Sequence, residues 1–188
     1  KLKALTSGNW LVQEVLGFNK KKKEVIILST EQSPLQSNIY SVNIKNGKRT
    51  LLGNAEGVHS AQLSASGTYL IDSYQTPTEA RITEIIPNGK GKAIRLLTAA
   101  NPYADFVMPT VETGTIKAAD GVTDLYYRLI KPADFDPNKT YPAIVYVYGG
   151  PHAQMITNGF MHSAGKWDLY MANKGYIMFT LDNRGSDN

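Results

Sequence analysis

Cysteine is absent from the 188 residues of this chain, so disulfides, a thiol nucleophile and cysteine-ligated zinc are excluded. Only three histidines occur, and neither they nor the acidic residues have the spacing of a zinc site or an EF-hand, and no glycine-rich phosphate loop is present. The sequence therefore predicts no metal and no cofactor. No apolar run approaches the roughly 18 residues that a membrane-spanning helix needs.

The beginning of the sequence, KLKALTSGNW, has neither an initiator Met nor the apolar core of a signal peptide. We expect it to be the middle of a longer chain, with any targeting signal outside this segment. The composition, 42% hydrophobic and 19% charged, is that of an ordinary globular protein.

A net charge of +4 comes largely from the run Lys20-Lys21-Lys22-Lys23. Such a run can bind nucleic acid or an anionic surface, or it can be a solvated hairpin loop. The loop interpretation is favoured, because no aromatic residues are interleaved with the lysines and no second basic cluster is found. We therefore predict no nucleic-acid partner.

The first half of the chain has the pattern of two similar sets of four short β-strands separated by turn residues. The Asn-Gly pairs that begin at Asn46 and Asn88 are 42 positions apart, which is within the ~40–45 residue repeat of propeller blades. Asn-Gly also favours two-residue hairpin turns. The predicted strands are Trp10–Leu16, Val25–Ser29, Ile39–Ile44 and Arg49–Leu52, then Ser60–Leu63, Tyr69–Ser73, Arg81–Ile86 and Ala93–Leu97. Two blades cannot close a propeller ring, so we expect the last two blades of a larger propeller; a plain β-sandwich is the alternative.

The second half begins with a connector, Thr98–Thr110, followed by an alternating hairpin over residues 112–131. The run Ile144–Tyr148 predicts a central strand buried on both faces. It is followed by Gly149-Gly150-Pro151, a helix-like pattern of Phe160, Ala164, Trp167 and Met171, and a second apolar run, Tyr176–Leu181. Strand, loop, helix and strand make a βαβ unit and hence a parallel pair, whose ligands bind at the carboxyl ends of the strands. YGGP and DNRGS both lie at those ends.

The segment VYGGPHAQ, the Trp167 helix and LDNRGS together resemble the start of the catalytic domain of the prolyl oligopeptidase family, S9 serine peptidases, and within it the dipeptidyl peptidase IV branch. The connector at Thr98–Thr110 is where chains of that family pass from propeller to hydrolase. The resemblance implies a mixed fold in two parts. Residues 1–110 would be antiparallel propeller blades and connector, and residues 111–188 the first part of an α/β-hydrolase domain.

In the family that the chain resembles, a tyrosine at the position of Tyr148 donates its hydroxyl to the oxyanion hole. The alternative is a buried aromatic residue whose hydroxyl binds a backbone group. Related acyl-peptide-releasing branches tend to carry His before GGP, so Tyr148 favours the dipeptidyl peptidase branch.

Other polar residues near these motifs have weaker claims to a catalytic role. His152 is expected to make an ordinary loop hydrogen bond, and His59 and His162 are weaker candidates still. Asp182 and Arg184 are expected to support the rim of the site structurally. Ser186 lacks the Gly-x-Ser-x-Gly setting of a nucleophile.

The resemblance implies a secreted or periplasmic exopeptidase that releases N-terminal dipeptides with Pro or Ala in the second position. Its nucleophile, acid and base would lie outside this chain, so the chain alone is predicted to be inactive. It is also predicted to associate with itself through a free strand next to DNRGS at the open edge of the sheet. The alternatives are a binding or structural module without catalysis, and a hydrolase of acyl-peptides or esters.

Overall fold

The computed structural model describes residues 3–186. The chain divides between Ala99 and Ala100 into two compact units. Within the described residues, twelve strands form three four-stranded sheets, none of them closed into a barrel, beside one α-helix and one short 3₁₀ turn. The protein is therefore mainly β-structure. The described part of the chain contains no helix long and apolar enough to cross a membrane.

The first unit contains two antiparallel sheets in which each strand pairs with the next along the chain. The first sheet consists of β1 (Val12–Asn19), β2 (Glu24–Ser29), β3 (Asn38–Asn43) and β4 (Arg49–Leu52). The second consists of β5 (Val58–Leu63), β6 (Tyr69–Gln75), β7 (Ile82–Pro87) and β8 (Ile94–Thr98). The two predicted sets of four strands are thus present, with ends displaced by up to three residues from the predicted ends.

The two sheets of the first unit share one apolar core. Ile26, Leu28 and Ile39 of the first sheet pack with Leu70 and Ile86 of the second, and all five side chains are buried. These residues alternate with more exposed ones along β6 and β7, as strands with one buried face require. Burial of this shared core holds the sheets together, because each sheet alone would leave its apolar face in water.

The observed turn at Gly67 is the one that the sequence predicts, whereas the loops at the two Asn-Gly pairs differ from the turn that Asn-Gly favours. Gly67 has φ +71°, a conformation that favours glycine, in the predicted turn between β5 and β6. Asn-Gly favours two-residue hairpin turns, but neither of the two Asn-Gly pairs forms one. Asn46 lies in a five-residue loop between β3 and β4, closed by a hydrogen bond from the N–H of Gly47 to the carbonyl oxygen of Asn43 (2.8 Å), and the loop containing Asn88 is longer still.

The second unit contains a mixed sheet in the order β11-β12-β10-β9. Its strands are β9 (Thr110–Lys117), β10 (Asp124–Lys131), β11 (Ala143–Val147) and β12 (Ile177–Leu181), and helix α1 (Lys166–Asn173) connects β11 to β12. β11 and β12 are parallel, which confirms the predicted βαβ unit, and the hairpin of β9 and β10 is antiparallel as predicted. Ile130, Leu169, Ala172 and Met178 form the buried core between α1 and the sheet.

Two expectations about this sheet are wrong. β11 was expected to be a central strand buried on both faces, but it lies at the edge, and Val145 and Val147 are more than half exposed. The free strand was expected next to DNRGS, yet β12, which precedes DNRGS, is paired on both sides. The two edge strands of this sheet are β11 and β9.

The helix is also shorter than its apolar pattern predicted. It begins at Lys166, because residues 161–163 adopt left-handed backbone angles that end any helix before it. Trp167 is 56% exposed, and the residues that α1 buries are Leu169 and Ala172. The pattern of Phe160, Ala164, Trp167 and Met171 therefore does not describe one buried helical face.

Candidate functional site

The loops that follow β11 and β12 meet at one edge of the second unit. Because the strands are parallel and Val147 pairs with Leu181, the residues after them, Tyr148 and Asp182, emerge side by side. The N–H of His152 donates a hydrogen bond to the carbonyl oxygen of Gly185, 2.9 Å away, and joins the two loops directly. YGGP and DNRGS therefore form one site, as their positions in the sequence predicted.

Tyr148 extends from the end of β11 with 56% of its surface exposed. No hydrogen bond joins its hydroxyl to another residue in the described range 3–186. Gly150 lies against the ring: a Cβ atom there would be 2.7 Å from Cε1 of Tyr148. Gly149 has φ +71°, which turns the chain directly after the tyrosine. The glycine pair thus leaves room for the ring, and the hydroxyl can donate to a ligand.

Asp182 is 1% exposed and uses both carboxylate oxygens on backbone groups. Oδ1 accepts a hydrogen bond from the N–H of Met155 (2.9 Å), and Oδ2 accepts one from the N–H of Ile156 (3.1 Å). Burial raises the pKa of this carboxyl, although both hydrogen bonds and the charge of Arg128 oppose the rise. With both oxygens occupied, Asp182 has the geometry of a structural support.

Arg184, in the same loop, forms an ion pair with Asp120 (2.9 Å) in the loop between β9 and β10. The pKa of Asp120 is far below its ordinary value, first because the hydroxyl of Thr123 donates to it at 2.6 Å, then because of backbone hydrogen bonds, with a smaller effect of Arg184. Ser186 bonds locally to Asn183 through both its N–H and its hydroxyl. Within residues 3–186, no hydrogen bond or ion pair joins Arg184 or Ser186 to Tyr148.

The three histidines do not come together. His59 is buried in the first unit, with Nδ1 2.8 Å from Asp72 Oδ2, Nε2 3.1 Å from the carbonyl oxygen of Glu56, and its ring stacked on Tyr74. His152 lies in the loop after β11 with φ +63°. His162 lies in the turn before α1, and its pKa is lowered by burial and then by the charge of Arg128. No cluster of three or more potential metal ligands occurs among residues 3–186.

Sequence reasoning missed Arg128, a buried guanidinium on β10. It is 3% exposed and donates from Nη1 to the carbonyl oxygens of Met155 (2.8 Å) and His162 (2.9 Å). Its Nη2 lies 3.4 Å from both Asp168 Oδ2 and the hydroxyl of Thr180. Burial lowers the pKa of this arginine, and the neighbouring carboxylates oppose the shift. The only signal in the sequence is a single charge within the apolar run LYYRLI.

Comparison with known proteins gives consistent matches along the chain. Residues 1–81 match the family described as the dipeptidyl peptidase IV (DPP IV) N-terminal region. Human dipeptidyl peptidase 8 is 31% identical over 97% of this chain, which covers 22% of that protein. A probable dipeptidyl peptidase 4 of Aspergillus fumigatus is 30% identical over 97% of the chain, which covers 25% of it.

Solved structures give the same result for the fold. A Bacteroides ovatus protein provisionally named dipeptidyl aminopeptidase IV is 55% identical over 99% of the chain, with a TM-score of 0.89. Porphyromonas gingivalis dipeptidyl peptidase 4 is 27% identical over 98% of the chain, with a TM-score of 0.85. This chain spans 26% of each of those two proteins, about a quarter of their length. The motifs, the fold and these relatives together establish that the chain belongs to the dipeptidyl peptidase IV branch of the prolyl oligopeptidase family of S9 serine peptidases.

Proposed function

We propose that this chain is part of a serine exopeptidase that releases dipeptides from peptide N-termini, with Pro or Ala in the second position. The first unit and the connector, residues 1–110, would be blades of its propeller. Residues 111–188 would begin its α/β-hydrolase domain. The support is the family of the chain, the four-stranded meanders of the first unit and the parallel pair β11–β12 of the second.

The observation that carries the proposal is the exposed side chain of Tyr148, whose hydroxyl bonds to no other residue in the range 3–186, at the carboxyl end of β11. In acyl transfer a serine attacks the scissile carbonyl, and the carbonyl oxygen acquires negative charge. A donor aimed at that oxygen is worth most when the charge develops, and the removal of one such donor typically costs ~10²–10³ in turnover. The phenol of Tyr148 would donate this bond without giving up its proton, while Gly149 and Gly150 let the substrate approach.

The remaining catalytic groups are proposed to lie elsewhere in the longer protein. The 188 residues contain no Gly-x-Ser-x-Gly motif, in which the nucleophile of an α/β-hydrolase is found. An oxyanion donor without a nucleophile and base retains only a small part of the acceleration. We therefore propose that this chain alone does not hydrolyse peptides. On the separate ground of the family that the chain resembles, we also propose that the longer protein acts in the periplasm or is secreted.

A substrate panel on the longer protein separates the dipeptidyl peptidase from the other hydrolases. The panel comprises p-nitroanilides of Gly-Pro, Gly-Ala, N-acetyl-Gly-Pro and N-acetyl-Ala, with p-nitrophenyl acetate as an ester. The proposal predicts cleavage of the two unblocked dipeptide amides and little cleavage of the acetylated ones. Preferential release from N-acetyl-Ala, or activity on the ester alone, would contradict it in favour of an acyl-peptide hydrolase or an esterase.

A further inference from the structure

The segment between Tyr148 and helix α1 has little regular structure of its own. It contains one 3₁₀ turn, Phe160–Ser163, and otherwise lacks helix or strand from Tyr148 to Gly165. A segment of this kind keeps a fixed position only where other parts of the protein hold it. The contacts that hold it therefore also fix the backbone that follows Tyr148.

Two charged residues hold the backbone of Met155 in this segment, one at its N–H and the other at its carbonyl oxygen. Asp182 accepts from the N–H of Met155, and Arg128 donates to the carbonyl oxygen of the same residue. The side chain of the next residue, Ile156, is fully buried. Arg128 is on β10 and Asp182 directly follows β12, the strand paired with β10, so both are attached to the middle of the sheet.

The same guanidinium holds a strained turn further along the segment. Met161, His162 and Ser163 have φ values of +53°, +52° and +58°, a conformation that is unfavourable for residues with a Cβ atom. Arg128 donates to the carbonyl oxygen of His162 at the middle of this turn. Such angles persist where surrounding contacts determine them, and they mark sites where a fixed geometry has a use.

We infer that Arg128 is a positioning residue for Tyr148: by bonding to the carbonyls of Met155 and His162 it fixes the segment that begins at the tyrosine. This inference rests on the proposed function, since it assigns Arg128 a role in the oxyanion geometry of that enzyme. The hydrogen bond between His152 and Gly185 holds the residues just after the tyrosine. Asp182 and Arg128 hold the later part of the segment, at residues 155–162.

A double-mutant cycle in the longer protein tests the inference, with Gly-Pro p-nitroanilide as substrate. Arg128→Met should lower kcat by about 10²-fold, the size of effect that a misplacement of about 1 Å can have, with a much smaller change in KM. Arg128→Lys should retain part of kcat, because one ammonium keeps the charge but cannot bond to all four partners. If Arg128 acts through Tyr148, then adding Arg128→Met to Tyr148→Phe should lower kcat by less than about threefold more.

The control is Lys131→Met, which removes a cation from the same strand whose ion pair, with Glu112 on β9 at 2.8 Å, lies outside the segment. It should leave kcat unchanged. An equal loss from Arg128→Met in the wild-type and Tyr148→Phe backgrounds would overturn the inference while leaving the proposed function intact. A Tyr148→Phe enzyme with full kcat would overturn the proposed oxyanion role, and the inference with it.

If circular dichroism and gel filtration show that Arg128→Met does not fold, Asp182→Asn replaces it in the cycle. The amide keeps the shape of the side chain but turns one acceptor of a backbone N–H into a donor. A loss of kcat that disappears in the Tyr148→Phe background supports the positioning of this segment, and Arg128→Lys then tests the arginine itself. Additive losses for both variants contradict it.

Discussion

The side-chain amide of Asn19 donates a hydrogen bond to the carbonyl oxygen of Gly67, 2.9 Å away and on the other sheet of the first unit. Asn19 is 1% exposed, although it ends β1 beside the lysine run. A second buried amide, from Asn88, donates to the same oxygen at 3.1 Å. The oxygen of the Asn19 side chain accepts from the N–H of Lys22. Three loops from two sheets are therefore joined at one carbonyl.

We expect Asn19→Ala to destabilise the first unit by about 0.5–1.5 kcal/mol, the usual net loss for a hydrogen bond, because the carbonyl oxygen of Gly67 keeps the bond from Asn88. Urea unfolding followed by the fluorescence of Trp10, in a Trp167→Phe background, measures this unit. Asn46→Ala is the matched control, because its side chain is exposed and bonds only to the nearby N–H of Lys48. An equal decrease in the free energy of unfolding for the two variants would show that the hydrogen bond between the sheets does not stabilise the first unit.

Gly67→Ala should destabilise the chain more than Gly121→Ala. Both glycines have nearly the same φ, +71° and +70°, so the left-handed conformation costs about 1–2 kcal/mol in each. A Cβ at position 67 would also be 3.0 Å from Cα of Asn19, whereas nothing lies within 4 Å of one at position 121. Urea midpoints, read for each unit with its own tryptophan, give the difference. A similar loss of stability in both variants would mean that the backbone at Asn19 moves to accommodate the added Cβ at little cost.

The second unit should lose stability on acidification because of His162. Its pKa is lowered in the fold, so the folded ring prefers to be neutral, while the unfolded ring takes a proton near pH 6.5. The contribution is complete above that pH and is lost as the pH falls towards the folded pKa. Asp182 acts in the opposite direction, since its raised pKa favours the fold at lower pH.

His162→Asn isolates this effect, because asparagine does not titrate and accepts left-handed angles. Between pH 7.5 and 5.5 the urea midpoint of the second unit should fall further in the wild type than in the variant. Asp182 is common to both chains and cancels in the comparison. Parallel pH profiles would contradict the assignment.

The free edge of β11 should make this chain associate with itself. Val145 and Tyr146 are 64% and 53% exposed beside unpaired backbone groups, which is the arrangement that favours pairing with a second chain. Sedimentation should show dimers or larger species at micromolar concentration. Val145→Lys should reduce them, while Val122→Lys, at an exposed valine in a loop, should not. A monomeric wild-type chain would contradict this prediction.

The strands of the first unit could be predicted from sequence because their apolar residues alternate and glycine, proline and asparagine separate them. The length of the loop at residues 46–47 could not be predicted from Asn-Gly, which favours a two-residue turn. The observed loop length is fixed by the pairing of Val42 with Arg49 on either side of it. The lysine run was correctly assigned to an exposed loop. Nζ of Lys22 donates a hydrogen bond to the carbonyl oxygen of Asn88 in the second sheet. This long-range contact could not be predicted from the sequence around the lysines.

In the second unit, local patterns gave the elements but not the order of the strands or their burial. The five apolar residues of β11 predict a strand that needs cover on both faces, and this chain supplies cover for neither Val145 nor Val147. At the site, Tyr148 was singled out by the resemblance of VYGGPHAQ to the family motif, and Asp182 because it directly follows an apolar run. Arg128 was not, because its partners are backbone carbonyls 27 and 34 positions away, which composition and periodicity do not reveal.

Turnover of Gly-Pro p-nitroanilide tests whether Tyr148 supplies an oxyanion donor. Three proteins are compared: this 188-residue chain, the longer protein in its natural reading frame, and the longer protein carrying Tyr148→Phe. We predict no turnover by the first, measurable turnover by the second and a kcat lower by about 10²–10³-fold in the third, with circular dichroism unchanged. An unchanged kcat in the Tyr148→Phe enzyme would contradict the claim.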